Sequence, residues 1–135
     1  MYVRSVNYYE TDMMQVVHHS NYIRWFEEAR TKLLDEAGYS YARIEEEGIM
    51  IPVLSVACEY KIPCRFGENV CIKSKLVEYS GVRMTIEYEV WDEKCEELRV
   101  TGRSSHCFVD SQFRPISVKR KVPELHAVFE SLMAE

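Results

Sequence analysis

The segment 21–37 constrains the fold most, because its apolar residues recur with helical spacing and cover a broad part of the helix surface. Steps of 4, 3, 4 and 4 residues place on one face Tyr22, Phe26, Ala29, Leu33 and Ala37. Ile23 and Leu34 widen this stripe. Ser20 is the expected N-cap, and Gly38 is the expected residue after the C-cap. A stripe this wide predicts a helix enclosed by a curved surface rather than one resting on a flat one.

After Gly48 the apolar repeat shortens to two residues, which is typical of strands with one buried face. Residues 54–62, 70–76 and 84–90 alternate apolar and polar side chains, and residues 98–109 do so more weakly. The links at Ser80-Gly81 and at residues 92–94 are short enough for hairpins. We therefore expect an antiparallel sheet.

The ends of the chain complete an α+β pattern. Residues 2–9 are rich in Tyr and Val and predict a strand, and residues 40–47 predict a short second helix. Pro123 opens a predicted closing helix that runs to Met133. There is no internal repeat and no linker, so we expect residues 1–135 to form a single α+β domain in which the sheet wraps around the long helix.

Composition excludes several classes of protein. A net charge of −5 argues against a chain whose main role is to bind nucleic acid. The longest apolar stretch, residues 49–58, contains Pro52 and is too short to cross a bilayer, and the first seven residues lack the apolar core of a signal peptide. The five cysteines include no CxxC pair, which disfavours disulfides and a metal site. We expect reduced thiols and a cytoplasmic protein.

The segment 8–22 carries the residues best suited to chemistry. Asp12, His18 and His19 lie in a loop that leads into the N-terminus of the long helix. Free backbone N–H groups and the helix dipole favour negative charge at such a position. Asp12 is therefore a candidate general base or nucleophile toward a carbonyl group. The alternative is that Asp12 is a turn residue and His18 a solvated loop side chain.

Other charged residues have structural explanations. Arg30 projects into the apolar stripe, and we expect an ion pair with Glu27 one turn earlier, with Glu27 as a base on the helix as the alternative. Cys107 and His106 are neighbours on a strand and should face opposite ways, so they do not form a nucleophile and base pair. The basic residues 119–121 and Arg65 are either solvated or phosphate ligands.

A longer pattern resembles a known family. Its spacing is Tyr9-x-Thr11-Asp12-x-x-x-Val16-Val17-x-His19-x-x-Tyr22-x-x-x-Phe26-Glu27-x-Ala29-Arg30. This pattern resembles the signature of hotdog-fold acyl-CoA thioesterases of the 4-hydroxybenzoyl-CoA thioesterase and YbgC-like family. Residues 63–68 resemble the family's Pro-x-Arg-x-Gly-acid turn, and residues 113–115 resemble its late hairpin. The resemblance covers essentially the whole chain.

The resemblance implies an antiparallel sheet around a central helix and hydrolysis of an acyl-CoA to a free acid and CoA. It implies that Asp12 is the catalytic carboxylate and that the backbone N–H of His19 is the oxyanion donor. The residues expected to contact substrate are Val17, His18, Asn21, Tyr22 and Arg65. It further implies a homodimer or homotetramer with active sites at the subunit interface. No cofactor is expected, because coenzyme A is part of the substrate.

One position departs from the family pattern. Many relatives carry glycine at the third position after the catalytic carboxylate, where this chain has Gln15. If that backbone needs a positive φ, Gln costs about 1 kcal/mol or more. This departure motivates an alternative function, a hotdog-fold protein that binds acyl-CoA or a partner without turnover. A hotdog dehydratase is disfavoured, because His18 and His19 precede the helix.

Overall fold

The computed structural model describes residues 1–135 and contains one antiparallel sheet with helices packed on one of its faces. The strands are β1 (Tyr2–Ser5), β2 (Val53–Tyr60), β3 (Asn69–Tyr79), β4 (Arg83–Asp92) and β5 (Leu98–Cys107). The helices are α1 (Ser20–Glu36), α2 (Tyr41–Glu46), α3 (Val118–Lys121) and α4 (Pro123–Met133). The strand order is β1-β3-β4-β5-β2, so β1 and β2 form the two edges. This α+β architecture confirms the predicted fold class.

The core lies between α1, α4 and the inner face of β3, β4 and β5. The ring of Phe26 on α1 stacks on Tyr88 of β4 with centroids 4.4 Å apart, and Phe129 on α4 packs against Phe108 at 5.4 Å. The alternation predicted for residues 84–90 is confirmed on this face, where Met84, Ile86 and the Tyr88 ring are all buried. No helix is long and apolar enough to span a membrane.

Helix α1 is confirmed, and four residues of its predicted stripe are buried, namely Tyr22, Phe26, Ala29 and Leu34. Trp25 and Arg30 are buried, whereas Ile23 is 44% exposed. Trp25 is buried because a buried acceptor meets its indole N–H. Ser20 is the first helical residue rather than the N-cap, which is His19. Gly38 ends the helix as predicted, with φ +84 and its N–H donating to the Asp35 carbonyl at 3.0 Å.

Two strand predictions need correction. The strand predicted over residues 2–9 ends at Ser5, because the chain then forms a 3-10 turn over Tyr8–Glu10 that leads toward α1. Strand β2 lies at an edge, and much of its predicted apolar face is open to solvent, with Leu54 49% and Tyr60 51% exposed. A register shift between Val53 and Ser55 interrupts its pairing with β5. A strand with an unpaired edge and exposed apolar side chains is a surface suited to strand addition.

Gly102 of β5 is needed because α1 crosses the sheet at this point. A Cβ at this position would overlap the ring of Phe26. We expect Gly102→Ala to lower the free energy of unfolding by about 1–3 kcal/mol, since overpacking forces neighbouring side chains or backbone to shift. Denaturant unfolding measures this loss.

The matched background for that measurement is Phe26→Leu, which leaves room beside residue 102. In the Phe26→Leu background, Gly102→Ala should lower the free energy of unfolding by distinctly less, because the two residues are in contact and their effects do not add. An equal cost in both backgrounds would show that the Phe26 ring is not the obstacle.

Candidate active site

A tight turn places Asp12 between β1 and α1. The Gln15 N–H donates to the Asp12 carbonyl and the Asp12 N–H donates to the Val16 carbonyl, both at 2.9 Å. Thr11 and Val17 pair across this turn, and Val16 pairs with Arg65 in the loop before β3. This is a three-residue hairpin loop, in which a turn is followed by one residue in the left-handed region. The loop thus holds Asp12 and Arg65 on one side of the domain.

Gln15 is the residue in the left-handed region, with φ 64. The positive φ considered for this position from the sequence is therefore present. The same arrangement recurs elsewhere, since Cys95 and Phe113 also have a positive φ and each lies three residues after an aspartate. In all three turns the N–H of the positive-φ residue donates to the carbonyl of that aspartate, at 2.9 to 3.0 Å. The strain at Gln15 is therefore a property of the turn.

Replacement of Gln15 by glycine should relieve this strain. We expect Gln15→Gly to raise the free energy of unfolding by up to about 1 kcal/mol, the cost of a side chain in the left-handed region less the added entropy of glycine in the unfolded chain. Denaturant unfolding gives the value. Met14→Gly is the matched control and should destabilise, because Met14 has no positive φ. Equal losses in both variants would contradict the explanation.

Asp12 serves the turn with only one of its carboxylate oxygens. Its Oδ1 accepts from the Met14 N–H at 2.8 Å, and Oδ2 makes no hydrogen bond within the chain. The carboxylates of Asp92 and Asp110 also accept from backbone N–H groups, and these bonds lower the pKa of both carboxyl groups. Asp12 differs from those two because it lines two cavities. Asp12 is therefore a turn residue through its Oδ1, while its Oδ2 remains available for contact with a ligand.

The two cavities meet at Asp12. The larger, of about 800 Å³, is lined by Tyr8, Tyr9, Met13, Gln15, Arg65 and Phe66 among others. The smaller, of about 260 Å³, is lined by Val17, His19, Tyr22, Tyr60, Lys61 and their neighbours. Asp12 is the residue common to both. The structure thus brings together five of the residues selected from the sequence, namely Asp12, Val17, His19, Tyr22 and Arg65.

The backbone N–H of His19 is free. It makes no hydrogen bond within the chain, although the adjacent N–H of His18 donates to the Glu10 carbonyl at 2.9 Å. His19 has helical dihedral angles, φ −54 and ψ −30, directly before the first residue of α1. An unsatisfied N–H at a helix N-terminus, beside a cavity that also contains a carboxylate, is suited to hold a developing oxyanion.

His18 and Asn21 line neither cavity. The His18 ring packs on the ring of His19 at 4.2 Å, and its Nδ1 is 2.8 Å from the Ser20 hydroxyl. The Asn21 amide donates to the Glu10 carbonyl at 2.9 Å, so its side chain holds the loop. Tyr22 does line the smaller cavity, and burial raises the pKa of its phenol, which therefore stays protonated at neutral pH.

Glu10 is a buried residue of this region that the sequence pattern did not single out. It is only 4% exposed, and its Oε2 accepts from the Trp25 indole N–H at 2.7 Å. Its Oε1 accepts from the Arg4 guanidinium at 2.7 Å and from the Asn7 N–H at 2.9 Å. Glu10 therefore ties β1 and the loop to α1. No local pattern in the sequence marks this contact, because Glu10 and Trp25 lie 15 residues apart in different elements.

The ion pair predicted between Glu27 and Arg30 is wrong. The Arg30 Nε donates to the Tyr41 hydroxyl and Nη1 to the Tyr88 hydroxyl, both at 3.1 Å, while Glu27 is exposed. Two tyrosines from other elements reach the buried guanidinium, and such long-range partners are invisible to helical spacing. Residues 119–121 are the exposed part of helix α3. No group of three or more His, Cys, Asp or Glu side chains is placed to hold a metal ion.

A five-stranded antiparallel sheet packed on one long helix is the fold of the hotdog-fold thioesterases. The chain belongs to the thioesterase-like superfamily, whose family model matches residues 6–131. It is accordingly a thioester hydrolase.

Individual relatives agree with this class. YneP of Bacillus subtilis (strain 168), named as a candidate acyl-CoA thioesterase, is 33% identical over 126 residues, covering 93% of this chain and 91% of that protein. A crystal structure of a DHNA-CoA thioesterase from Staphylococcus aureus is 34% identical with a TM-score of 0.93, covering 98% of this chain and 89% of that one. The acyl-CoA thioester hydrolase YbgC of Escherichia coli O157:H7 is 26% identical over 85 residues, 63% of each chain.

Proposed function

We propose that this protein hydrolyses acyl-CoA thioesters, with Asp12 as the catalytic carboxylate. The observation that carries the proposal is the smaller cavity, which Asp12 shares with the helix N-terminus at His19. The thioester carbonyl oxygen accepts a hydrogen bond from the His19 N–H, which stabilises the negative charge that develops on attack. The names of similar proteins, YneP and the DHNA-CoA thioesterase among them, support CoA thioesters as the substrate class.

Two routes are compatible with this arrangement. As a general base, Asp12 Oδ2 takes a proton from water while the water oxygen bonds to the carbonyl carbon, and the C–S bond then breaks to release CoA. As a nucleophile, Oδ2 itself bonds to the carbonyl carbon and expels CoA, and water then hydrolyses the mixed anhydride to the acid and Asp12. Both routes need a carboxylate oxygen that is not engaged in the turn, and Oδ2 meets this need.

The larger cavity is the proposed site for the coenzyme A portion. Arg65 supplies a guanidinium that suits a phosphate group. Tyr9 is 82% and Met13 fully exposed, and Phe66 packs edge-on against Tyr8 at 5.7 Å. This apolar surface next to a cation suits a ligand with an apolar arm and an anionic end.

A homodimer formed through β2 is proposed as the active assembly. The outer edge of β2 has no neighbouring strand, and Val53, Leu54 and Tyr60 expose large apolar side chains there. Antiparallel addition of β2 from a second copy would satisfy the free edge and cover these side chains. Because Tyr60 lines the smaller cavity, the substrate site would then lie at the subunit interface.

A cytoplasmic location is proposed from the cysteines. All five are unpaired. Cys64 and Cys71 are buried, and burial together with a nearby Cys95 raises the pKa of the Cys71 thiol to about 11. Such thiols behave as small apolar core residues, which suits a reducing compartment.

Release of free thiol from a panel of acyl-CoAs (acetyl, butyryl, benzoyl and palmitoyl) tests the proposed function directly. We expect turnover of at least one member by the folded dimer. A folded protein that binds these thioesters tightly without releasing CoA would instead favour the second candidate, a non-catalytic acyl-CoA binding protein. The observation behind that candidate is Gln15, whose side chain lines the larger cavity next to Asp12.

A further inference from the structure

Arg30 is a buried cation without a carboxylate partner. The residue is 9% exposed, and its hydrogen bonds go to the hydroxyls of Tyr41 and Tyr88, while no acidic oxygen lies within ion-pair distance. Its second amino group, Nη2, donates to no group of the protein and is not one of the atoms sealed from solvent without a partner. A buried guanidinium is costly unless its N–H groups are satisfied.

The polar groups behind Arg30 do not supply the missing charge. The Tyr88 hydroxyl is 2.7 Å from Ser104 Oγ, which is 2.7 Å from His106 Nε2. Burial and the charge of Arg30 lower the pKa of His106 to about 4, so this imidazole is neutral at pH 7. The network is therefore uncharged apart from the guanidinium, and Nη2 is the guanidinium nitrogen that it leaves without a partner.

Arg30 lines a cavity of about 510 Å³ that is distinct from the two cavities at Asp12. Its walls are mainly apolar, formed by Ile49, Met50, Ile51, Pro52, Val53 and Phe113. Glu27 and Glu45 also line it, so its three charged residues sum to −1. This balance disfavours a ligand carboxylate, whereas a neutral oxygen still meets the free N–H of Arg30. The cavity thus suits an apolar group with an uncharged oxygen.

The proposed dimer brings this cavity to the catalytic loop of the other subunit. Within one chain Arg30 lies ten residues beyond the first residue of α1, which is about 15 Å along the helix axis. If two β2 strands pair antiparallel about their middle, Val53 of one chain lies opposite Tyr60 of the second. Val53 lines the Arg30 cavity and Tyr60 lines the smaller cavity at Asp12.

We propose that Arg30 is a specificity residue that acts across the dimer, donating from Nη2 to an uncharged hydroxyl or carbonyl oxygen on the acyl group held by the second subunit's Asp12. This proposal rests on the proposed thioesterase function and assigns the far end of its acyl site. Tyr41 holds the guanidinium in place, and the wall from Ile49 to Val53 contacts the apolar body of the acyl group.

A matched series of three acyl-CoAs tests the chemistry. Cyclohexanecarbonyl-CoA and its 4-hydroxy and 4-carboxy derivatives share one ring and differ only at the position that would reach Arg30. We expect the hydroxylated member to have a KM about 10- to 100-fold below that of the other two, the range for one hydrogen bond to a charged group. Arg30→Met should reduce this KM ratio to about 1.

Arg24→Met is the matched control, because Arg24 is an exposed arginine of the same helix that lines none of the described cavities. It should retain the preference. Equal KM values for the plain and hydroxylated substrates in the wild type would overturn the proposal even if Arg30→Met failed to fold. A lower KM for the 4-carboxy derivative than for the 4-hydroxy derivative would overturn the proposal as well. Turnover of benzoyl-CoA without turnover of any of the three cyclohexanecarbonyl-CoA substrates would also overturn it. Turnover of no acyl-CoA at all would refute the proposed function and this inference together.

Subunit mixing tests whether Arg30 acts in trans. Asp12→Asn and Arg30→Met chains are each mixed with themselves and with each other, and turnover of the hydroxylated substrate is measured well below its KM, where the Arg30→Met homodimer is slow because its KM is raised. A mixed dimer then contains one site with both Asp12 and Arg30 intact, so random mixing should restore about a quarter of the wild-type rate. No gain on mixing, after subunit exchange has been verified, would place Arg30 and Asp12 in the same subunit's site and overturn the arrangement.

Discussion

Asp12→Asn is expected to lower kcat for acyl-CoA hydrolysis by at least about 100-fold, because an amide neither accepts a proton from water nor attacks the thioester. The turn should survive the change. The asparagine Oδ1 still accepts from the Met14 N–H, which is the one hydrogen bond that this side chain makes in the folded chain. We therefore expect an unchanged unfolding midpoint, measured by thermal denaturation, beside a large loss in steady-state thiol release.

Asp92→Asn is the matched control for this substitution. Asp92 occupies an equivalent turn, with Cys95 in the left-handed region three residues later, and it lines none of the described cavities. Its replacement should leave kcat within about twofold, as expected for a surface change remote from the site. Near-normal turnover by Asp12→Asn would remove Asp12 from the mechanism and direct attention to Glu27, the carboxylate on the helix.

Glu10→Gln is expected to lower the free energy of unfolding by about 2–4 kcal/mol, because it breaks a buried charge pair and weakens two hydrogen bonds. The Arg4 side chain is only 10% exposed and packs over the Trp25 ring at 4.7 Å, so loss of the Glu10 charge leaves a largely desolvated guanidinium. Equilibrium denaturation measures the loss. Turnover should also fall, since the Glu10 segment positions the loop that carries the proposed catalytic residue Asp12.

Glu28→Gln separates these effects, because Glu28 pairs with the same Arg4 at 3.1 Å but has a side chain that is 42% exposed. An exposed ion pair is worth at most about 1 kcal/mol, so this variant should be nearly as stable as the wild type. If Glu10→Gln and Glu28→Gln had equal free energies of unfolding, the buried Glu10 side chain would not be the group that ties the loop to α1.

The α+β pattern, the long helix and three of the strands were predictable because each depends on side-chain periodicity within a short segment. The switch from helical spacing to alternation after Gly48 reflects two backbone geometries that place side chains differently. The positive φ at Gln15 was also open to prediction, because a turn conformation is a local property. The family pattern placed Asp12 in the loop before α1 and His19 at the start of that helix, and both residues line one cavity in the structure.

The partners of the buried charges were beyond local reasoning. Glu10 meets Trp25, and Arg30 meets Tyr41 and Tyr88, across separations of 11 to 58 residues. The expectation of an ion pair with Glu27 failed for this reason, since helical spacing shows which residues are near in the helix and not which are nearer in space. The position of β2 at the edge of the sheet was likewise not readable from local pattern. Its alternating residues predict one buried face, but in a single chain the large apolar side chains of β2 are about half exposed.

The sequence therefore established the elements, their order and the loop that carries Asp12, because local periodicity, turn chemistry and residue spacing encode these features. The packing of distant elements established the roles of three charged side chains. Glu10 ties the loop to α1, Asp12 keeps one carboxylate oxygen free of hydrogen bonds, and Arg30 lines a cavity. These outcomes follow from burial and hydrogen-bond satisfaction, and both depend on contacts that form only when the sheet closes on α1.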